Sequence, residues 1–283
     1  MSSTVRCQAA LLVLLICTAA AAPAARAEPA SLPSEARIPG GIALIELPSR
    51  RIARRATFQD RPVLAVGRTA VVAIPLNTAP GDYALKSGKR EYRFSVSEHV
   101  YPESRITLQG EKREMVDVPE ERLVRIRSDH RAIRGAYATR DENVPLLRLN
   151  LPAEGPWSSR YGLKRFFNGK QRSPHTGLDI AAPTGTPVYA AAAGEVVASD
   201  DYYFNGHTVI VHHGGGLVTL YCHLSERLVE AGATVEAGQL IGRVGSSGRA
   251  SGAHLHWSVS LSNVRVDPEL FVDPEVRAAQ SAD

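Results

Sequence analysis

Cysteine is scarce in this chain of 283 residues, which contains three: Cys7, Cys17 and Cys222. The first two fall in an N-terminal segment that we expect to be removed, so the mature chain would keep Cys222 alone, as buried packing. A single cysteine excludes an internal disulfide and a zinc site built from cysteine pairs. Any metal site must therefore use histidine, aspartate and glutamate, and the hydrophobic cores must provide the stability.

Basic runs with interleaved aromatic residues are also absent, and the net charge of +4 is modest. This composition gives no sign of a nucleic-acid groove. The H-E-x-x-H helix, in which a glutamate serves as the base of a zinc peptidase, is absent as well. The overall composition, with 44% hydrophobic and 22% charged residues, is typical of a soluble globular protein.

Long apolar runs are limited to one, at residues 9–22. A basic residue precedes it and an Ala-Arg-Ala sequence follows it, which predicts a secretory signal peptide cleaved near Ala27. The run is too short for a stable membrane span. A lipoprotein signal would need a small residue where Ile16 precedes Cys17, so a lipid anchor is disfavoured. We expect a soluble protein that is periplasmic or otherwise exported.

The residue pattern changes several times along the chain. Short β-type runs broken by turn residues predict a small β-sandwich-like domain, and glycine-punctuated strands predict a second β-rich domain. Between them, apolar positions three and four residues apart predict a connecting helix from Pro119 to Ala138. The fold class is therefore mainly β. The predicted parts are a signal peptide (1–27), a flexible leader (28–40), an N-terminal β-rich domain (41–115), a linker with a helix (116–145), a second β domain (146–273) and a frayed tail (274–283).

Four of the nine histidines and one aspartate form a candidate site in the second domain. His254 and His256, in SGAHLHWSVS, share one face of a strand because side chains two apart point the same way. His175 and Asp179, in SPHTGLD, are four apart and share a face in a helix or a strand. Together with one histidine of the His254/His256 pair they would give three donors and an open position, as catalytic zinc sites require. His223, in LVTLYCHLS, is predicted near a strand end.

The ordered set HTGLD, TLYCHL and GAHLHW resembles the lysostaphin-type (LytM) zinc metallopeptidases, which are peptidoglycan endopeptidases. The resemblance covers roughly residues 151–272, with no essential position substituted. It implies a β-fold whose groove carries one Zn²⁺ per chain at its floor. It implies that the zinc ligands are His175, Asp179 and His256, and that the catalytic histidines are His223 and His254. The first domain resembles, less specifically, the β-rich domain that precedes this unit in Gram-negative members.

The chemistry implied by this resemblance is hydrolysis of peptide cross-links in peptidoglycan by zinc-activated water. The two catalytic histidines would act as acid/base groups and oxyanion stabilisers. The likeness to Gram-negative members suggests a bond such as that from D-alanine to diaminopimelate. Candidate substrate-binding residues, from their positions near the ligand segment and in a loop, are Ser159, Tyr161, Tyr202 and Tyr203.

Two alternatives stay open. One is a non-catalytic LytM-type regulator that binds and activates another wall hydrolase, for which a regulatory protein partner is expected. The other is an exported peptidase that acts on glycine-rich proteins. The intact five-residue set argues against the regulator, because members that only bind partners have lost some of these ligands.

Overall fold

The structure, a computed structural model, describes residues 32–280. The predicted signal peptide and the start of the leader lie outside the described residues, as do the last three residues. Within residues 32–280, no helix is both long enough and apolar enough to cross a membrane.

The N-terminal region forms two small antiparallel sheets. Their strands are β1 (Ile42–Glu46), β2 (Ala56–Phe58), β3 (Arg61–Pro62), β4 (Leu64–Val66), β5 (Thr69–Ala73), β6 (Gly81–Ser87) and β7 (Arg90–Val96), with one turn of helix, α1 (Arg50–Ala53), after β1. The sheet orders are β1-β5-β4 and β3-β2-β6-β7. Alternate residues of β1 and β5 enter different cores: Ala43 and Val72 pack against the four-stranded sheet, whereas Ile42 and Val71 join the core of the second domain. Burial on both faces explains why TAVVA in β5 is continuously apolar.

The predicted linker packs against the second domain. Within its predicted range of 116–145 it contains a 3₁₀ turn (Glu120–Arg122) and α2 (Leu123–Tyr137). Before it, in the range predicted for the N-terminal domain, lie β8 (Glu103–Ile106) and a 3₁₀ turn (Gly110–Met115). Polar contacts hold α2 in place, since Arg125 Nη2 donates to Asp201 Oδ2 at 2.9 Å and the Tyr203 amide donates to Asp129 Oδ2 at 2.7 Å. The linker is therefore a structured part of the second domain's surface.

The helix matches the predicted span closely, but its buried face is narrower than predicted. Ile126 and Tyr137 are buried and Ile133 is half-buried, whereas Leu123 and His130 are exposed. The buried end of α2 joins a small apolar cluster on the main sheet with Leu220 and Cys222. In the first turn of α2, Leu123 and Val124 are exposed by 37% and 69%, so these apolar side chains do not join a core.

The second domain is built on a ten-stranded sheet. Its strands are β9 (Trp157–Ser159), β12 (Leu178–Ala181), β13 (Pro187–Tyr189), β14 (Gly194–Tyr202), β15 (Gly206–Gly214), β16 (Leu217–Arg227), β17 (Thr234–Val235), β18 (Leu240–Val244), β19 (His254–Leu261) and β20 (Val264–Val266). Its main path is β17-β14-β15-β16-β19-β12-β9. Two further strands, β10 (Lys164–Phe167) and β11 (Lys170–Gln171), form a separate sheet in which β10 pairs in parallel with β8.

Alternate side chains of β19 point to opposite faces of the sheet, one facing the core and the other facing the candidate site. Leu255, Trp257 and Val259 are fully buried in the main core. His254 and His256 therefore point to the opposite face of the sheet. Burying three large side chains on one face fixes the register of the strand, because a slip of one residue would bury the histidines.

The last described residues, within the segment predicted to be a frayed tail, include a short helix. A 3₁₀ turn (Pro268–Phe271) is followed by α3 (Pro274–Ala279), whose N-cap Asp273 accepts from the Glu275 amide at 2.8 Å. Residues 274–279 are helical where no regular structure was expected, and fraying of the tail stays a prediction. Asp273 followed by proline is a helix-start signal, with Pro at the first helical position.

Candidate metal centre and groove

Strand pairing brings the distant parts of the site together. In β12 and β19, Asp179 stands directly opposite His256, and on the other side of β19 His256 stands opposite Cys222. His175 lies in the loop before β12. That loop approaches β19 closely at Gly177, where an added Cβ would lie 2.5 Å from the Trp257 carbonyl oxygen and 2.6 Å from His256 Cε1. Only glycine allows this approach.

His175, Asp179 and His256 form a compact cluster, here called the metal group. The Nε2 atom of His175 lies 2.9 Å from Asp179 Oδ1 and 3.0 Å from His256 Nδ1, and the last two atoms are 2.7 Å apart. All three residues are largely buried, with exposed fractions of 0%, 6% and 9%. These three residues can hold a metal ion.

Hydrogen bonds behind the metal group fix which ring nitrogens converge. His175 Nδ1 donates to the Arg160 carbonyl at 2.7 Å. His256 Nε2 donates to Ser258 Oγ at 3.1 Å, and the Ser258 hydroxyl donates to the Thr176 carbonyl at 2.6 Å. These partners assign the ring protons to Nδ1 of His175 and Nε2 of His256. The other nitrogen of each ring is then an acceptor.

The metal group is therefore a set of three acceptors that face one another, and it fits a cation. Two imidazole lone pairs and a carboxylate within 3.0 Å repel each other unless a positive charge lies between them. Two nitrogens and one carboxylate oxygen are a donor set that zinc uses in catalytic sites. Zinc ligands in a tetrahedral site with bonds of ~2.1 Å would lie ~3.4 Å apart, so the three atoms, now 2.7–3.0 Å apart, would have to separate by roughly 0.4–0.7 Å.

The protonation states of the metal group also suit a metal. Burial lowers the pKa of His175, and it lowers the pKa of His256 to about 4, so both rings are neutral at pH 7. Burial raises the pKa of Asp179, but its interactions with His175 and His256 outweigh burial and hold that pKa well below the usual range. Arg165 Nη2 donates to Asp179 Oδ2 at 3.0 Å, which leaves Oδ1 for the metal group. Neutral imidazoles and an ionised carboxylate are the metal-binding forms.

His223 and His254 lie beside the metal group and are here called the histidine pair. Their ring centroids are 4.9 Å apart. His223 Nδ1 donates to the Ser247 carbonyl and His254 Nδ1 to the Gly252 carbonyl, each at 2.9 Å, so each Nε2 remains as an acceptor. His254 Nε2 is 3.9 Å from Asp179 Oδ1. Both rings can therefore accept a proton next to the metal group.

His223 is held in an unusual backbone conformation. Its φ of +64° is in the left-handed region, where a non-glycine residue is strained. Its amide donates to the Asn205 carbonyl at 2.9 Å, within the β14–β15 turn. Burial, followed by the proximity of His254 and His256, holds the pKa of His223 well below its usual value. The ring is neutral at pH 7 and able to act as a base.

A cavity of about 560 Å³ opens next to these residues. His223, His256 and Ser258 line one end, and Ile133 and Tyr137 of α2 line another part of its wall. The cavity lies on the site face of the sheet, between the metal group and the docked helix. Its size and position suit a peptide ligand.

The four predicted substrate-binding residues have different positions. Tyr161 and Tyr202 are only 3% and 4% exposed, and the Tyr161 hydroxyl donates to the Arg265 carbonyl. Both side chains are buried, so little of either is accessible to a ligand, and their role in substrate binding stays a prediction. Ser159 Oγ lies 3.3 Å from His175 Nδ1, and Tyr203 is half-buried. These two stay predictions.

Sequence reasoning missed two arginines at the site. Arg165 pairs with Asp179, and Arg249 lines the cavity beside Phe204. Neither arginine has a spacing or motif that points to the site. Both reach the site through the tertiary structure. Arg165 lies in β10, which pairs with β8, and Arg249 lies in the loop before β19.

Comparison with known proteins assigns the family. The model for peptidase family M23 matches residues 173–268, and the model for the M23 N-terminal domain matches residues 35–99. A crystal structure from Pseudomonas aeruginosa attributed to peptidase M23 is 38% identical, with a TM-score of 0.68. The alignment covers 84% of this chain and 95% of that one. This chain belongs to peptidase family M23.

Curated members of the M23 family are similar over part of the chain. Peptidoglycan DD-endopeptidase ShyC of Vibrio cholerae is 38% identical over 108 residues, which are 38% of this chain and 25% of ShyC. DD-carboxypeptidase/endopeptidase Mpg of Neisseria meningitidis serogroup B is 43% identical over 107 residues, again 38% of this chain and 25% of Mpg. The chain thus matches about a quarter of the length of these relatives.

Proposed function

We propose that this protein is an exported zinc endopeptidase that hydrolyses peptide cross-links of bacterial peptidoglycan. The observation that carries the proposal is the convergence of three acceptor atoms, His175 Nε2, Asp179 Oδ1 and His256 Nδ1, within 3.0 Å at the edge of a cavity. Relatives named as peptidoglycan endopeptidases support the choice of substrate. The signal-peptide pattern of residues 1–27 supports the periplasm or another exported location.

The metal group would hold one zinc ion per chain. When bound, zinc supplies Lewis-acid polarisation of a carbonyl and lowers the pKa of water to about 7. The protein's own contribution is to keep the three ligand atoms converged. Arg160, Ser258 and Arg165 do this by binding the outer side of each ligand. Orientation of this kind raises metal affinity and fixes the ring tautomers.

The histidine pair would move the protons. With Nδ1 of each ring donating to a backbone carbonyl, Nε2 of His223 and His254 can take a proton from the attacking water and deliver it to the leaving amine. Once protonated, either ring can donate a hydrogen bond to the oxyanion that forms at the scissile carbonyl. The fixed Nδ1 bonds keep each ring in one orientation through the cycle.

Digestion of purified sacculi tests this function. The mature chain, beginning at Glu28, is incubated with sacculi with and without a chelator, and soluble products are identified by mass spectrometry. We expect release of peptides cut at the cross-link, loss of release with the chelator, and recovery after addition of Zn²⁺. His99→Ala, at an exposed histidine of the N-terminal region, serves as a control for His175→Ala.

The result also decides between enzyme and regulator. A non-catalytic regulator would bind no zinc and release no product, yet would accelerate a second hydrolase in the same assay. Release that continues unchanged in the chelator would contradict the metal mechanism. Cleavage of glycine-rich proteins without cleavage of sacculi would contradict the substrate.

A further inference from the structure

Four arginines line the cavity beside the metal group, and among the described residues only one of them, Arg165, is paired with a carboxylate, that of Asp179. Arg134, Arg165, Arg249 and Arg265 line it, and among the residues that the structure describes no aspartate or glutamate does. An apolar or neutral peptide would gain nothing from four guanidinium groups. A cavity with this charge favours an anionic group on the ligand.

Arg249 is the most constrained of these arginines. Its guanidinium carbon lies 4.8 Å from the centre of the Phe167 ring and 4.3 Å from that of Phe204, and Nη1 contacts the Met115 carbonyl at 3.5 Å. Stacking on aromatic rings holds the plane of the group and leaves its N–H donors to point along that plane. No carboxylate among the described residues forms an ion pair with it.

Two neighbouring arginines, Arg165 and Arg172, add to the positive potential around Arg249. Burial, followed by repulsion from Arg165 and Arg172, lowers the pKa of Arg249 to about 10, so it remains charged at pH 7. Arg165 donates a hydrogen bond from Nη2 to Asp179 Oδ2, and its buried Nε has no hydrogen-bond partner among the described residues. Buried cationic donors without partners cost stability unless a ligand supplies the anion.

We propose that Arg249, supported by Arg165, binds a free carboxylate of the peptide substrate close to the scissile bond. A planar guanidinium binds a carboxylate through two parallel hydrogen bonds, which suits a fixed, stacked arginine better than a mobile lysine. The cavity connects this arginine to His223 and His256, so a peptide whose scissile carbonyl reaches the metal group passes beside it. This inference rests on the proposed function and narrows its substrate to carboxylate-bearing cross-links.

Matched substrates test the proposal. Synthetic cross-linked peptides are prepared with every carboxyl free, or with one carboxyl within a residue of the scissile bond converted to its amide. The kcat/KM of the mature protein is measured on each pair. We expect amidation of the recognised carboxyl to lower kcat/KM on the order of tenfold or more, as expected for losing a charge-assisted bidentate contact.

Variants connect that preference to Arg249. Arg249→Gln should bring the ratio of kcat/KM between free and amidated substrate close to one, and Arg249→Lys should give an intermediate ratio because it keeps the charge without the fork. Arg127→Gln, at an exposed arginine of α2 outside the cavity, should keep the wild-type ratio. Because each ratio is taken on one protein preparation, partial loss of folding cancels.

Several outcomes would overturn the proposal. If the wild-type protein gave a kcat/KM ratio near one between free and amidated substrates for every carboxyl, no carboxylate would be recognised. The proposed endopeptidase function would still stand. An Arg249→Gln protein that is slower on both substrates by the same factor would show a merely structural arginine. Failure of the wild type to cut either substrate would remove the proposed function and this inference together.

Discussion

His254 and His256 are two residues apart on one face of one strand, yet their surroundings differ. His256 is tied at Nε2 to Ser258 and presents Nδ1 to the metal group, whereas His254 is tied at Nδ1 to the Gly252 carbonyl and presents Nε2. The choice of ring nitrogen follows from the partner behind each ring. Identical side chains on one face therefore present different ring nitrogens to the site, His256 within the metal group and His254 within the histidine pair.

Removing a member of the metal group should have the largest effect. Asp179→Ala or His256→Ala leaves two acceptors where zinc needs at least three, so we expect both bound zinc and wall hydrolysis to be lost. Metal analysis of the purified variants and sacculus digestion measure the two losses. Asp200→Ala, at an exposed aspartate, is the control for Asp179→Ala and should keep both properties. Full zinc content in Asp179→Ala would mean that the metal lies elsewhere.

Removing a member of the histidine pair should separate activity from metal content. His254→Ala and His223→Ala leave all three acceptors of the metal group in place, so zinc should stay near one per chain. We expect kcat to fall by roughly 10²–10⁴, the usual contribution of a general acid or base. If His254→Ala lost zinc as His256→Ala does, the distinction between the two histidines would be wrong.

Loosening the support behind one ligand should have a smaller effect. Ser258→Ala removes the acceptor for His256 Nε2 and frees that ring to turn or to change tautomer. We expect zinc affinity to fall by about 10–100-fold, with activity recovered at high zinc concentration. Competition with a zinc indicator gives the affinity. Ser260→Ala, on the same face of β19, is the control. The Ser260 hydroxyl has no hydrogen-bond partner among the described residues, so its removal should change zinc affinity little.

The stability of the metal-free protein should decrease gradually as the pH falls, because His256 of the metal group takes up a proton less readily when folded. The pKa of His256 is about 4 in the folded protein, against about 6.5 when unfolded, so the unfolded chain binds the proton more readily between these values. Stability is therefore fully present above pH 6.5 and decreases as the pH falls towards 4, by roughly 2–4 kcal/mol. Denaturant unfolding of chelator-treated protein at pH 7 and pH 4.5 measures this loss. His256→Gln should show a shallower decrease, and an equal slope in both proteins would contradict the assignment.

Short-range periods predicted which candidate side chains share a face, whereas the choice of His256 over His254 as a zinc ligand came from the resemblance to LytM-type peptidases. His254 and His256 follow the period of a strand, and the alternating Leu255 and Trp257 anchor that strand in the core. The connecting helix was likewise predicted from apolar residues three and four positions apart. Its position over the groove was not, because it depends on contacts such as Arg125 with Asp201, which are 76 residues apart.

Other features needed the tertiary structure. Tyr161 and Tyr202 were expected at the groove from their position in the chain, yet both are buried, since exposure depends on what packs against a residue and not on its distance from a motif. The carbonyl of Arg160 and the hydroxyl of Ser258 determine the ring tautomers, and no sequence pattern identifies such partners. Arg249 reaches the cavity from a loop that has no regular period.

Anomalous diffraction at the zinc edge, on crystals of the zinc-loaded mature protein, tests the central claim most directly. The account predicts one zinc ion per chain, bonded at ~2.0–2.2 Å to His175 Nε2, Asp179 Oδ1 and His256 Nδ1, with His254 Nε2 outside bonding distance. A zinc ion bound through His254, or none at the metal group, would contradict it.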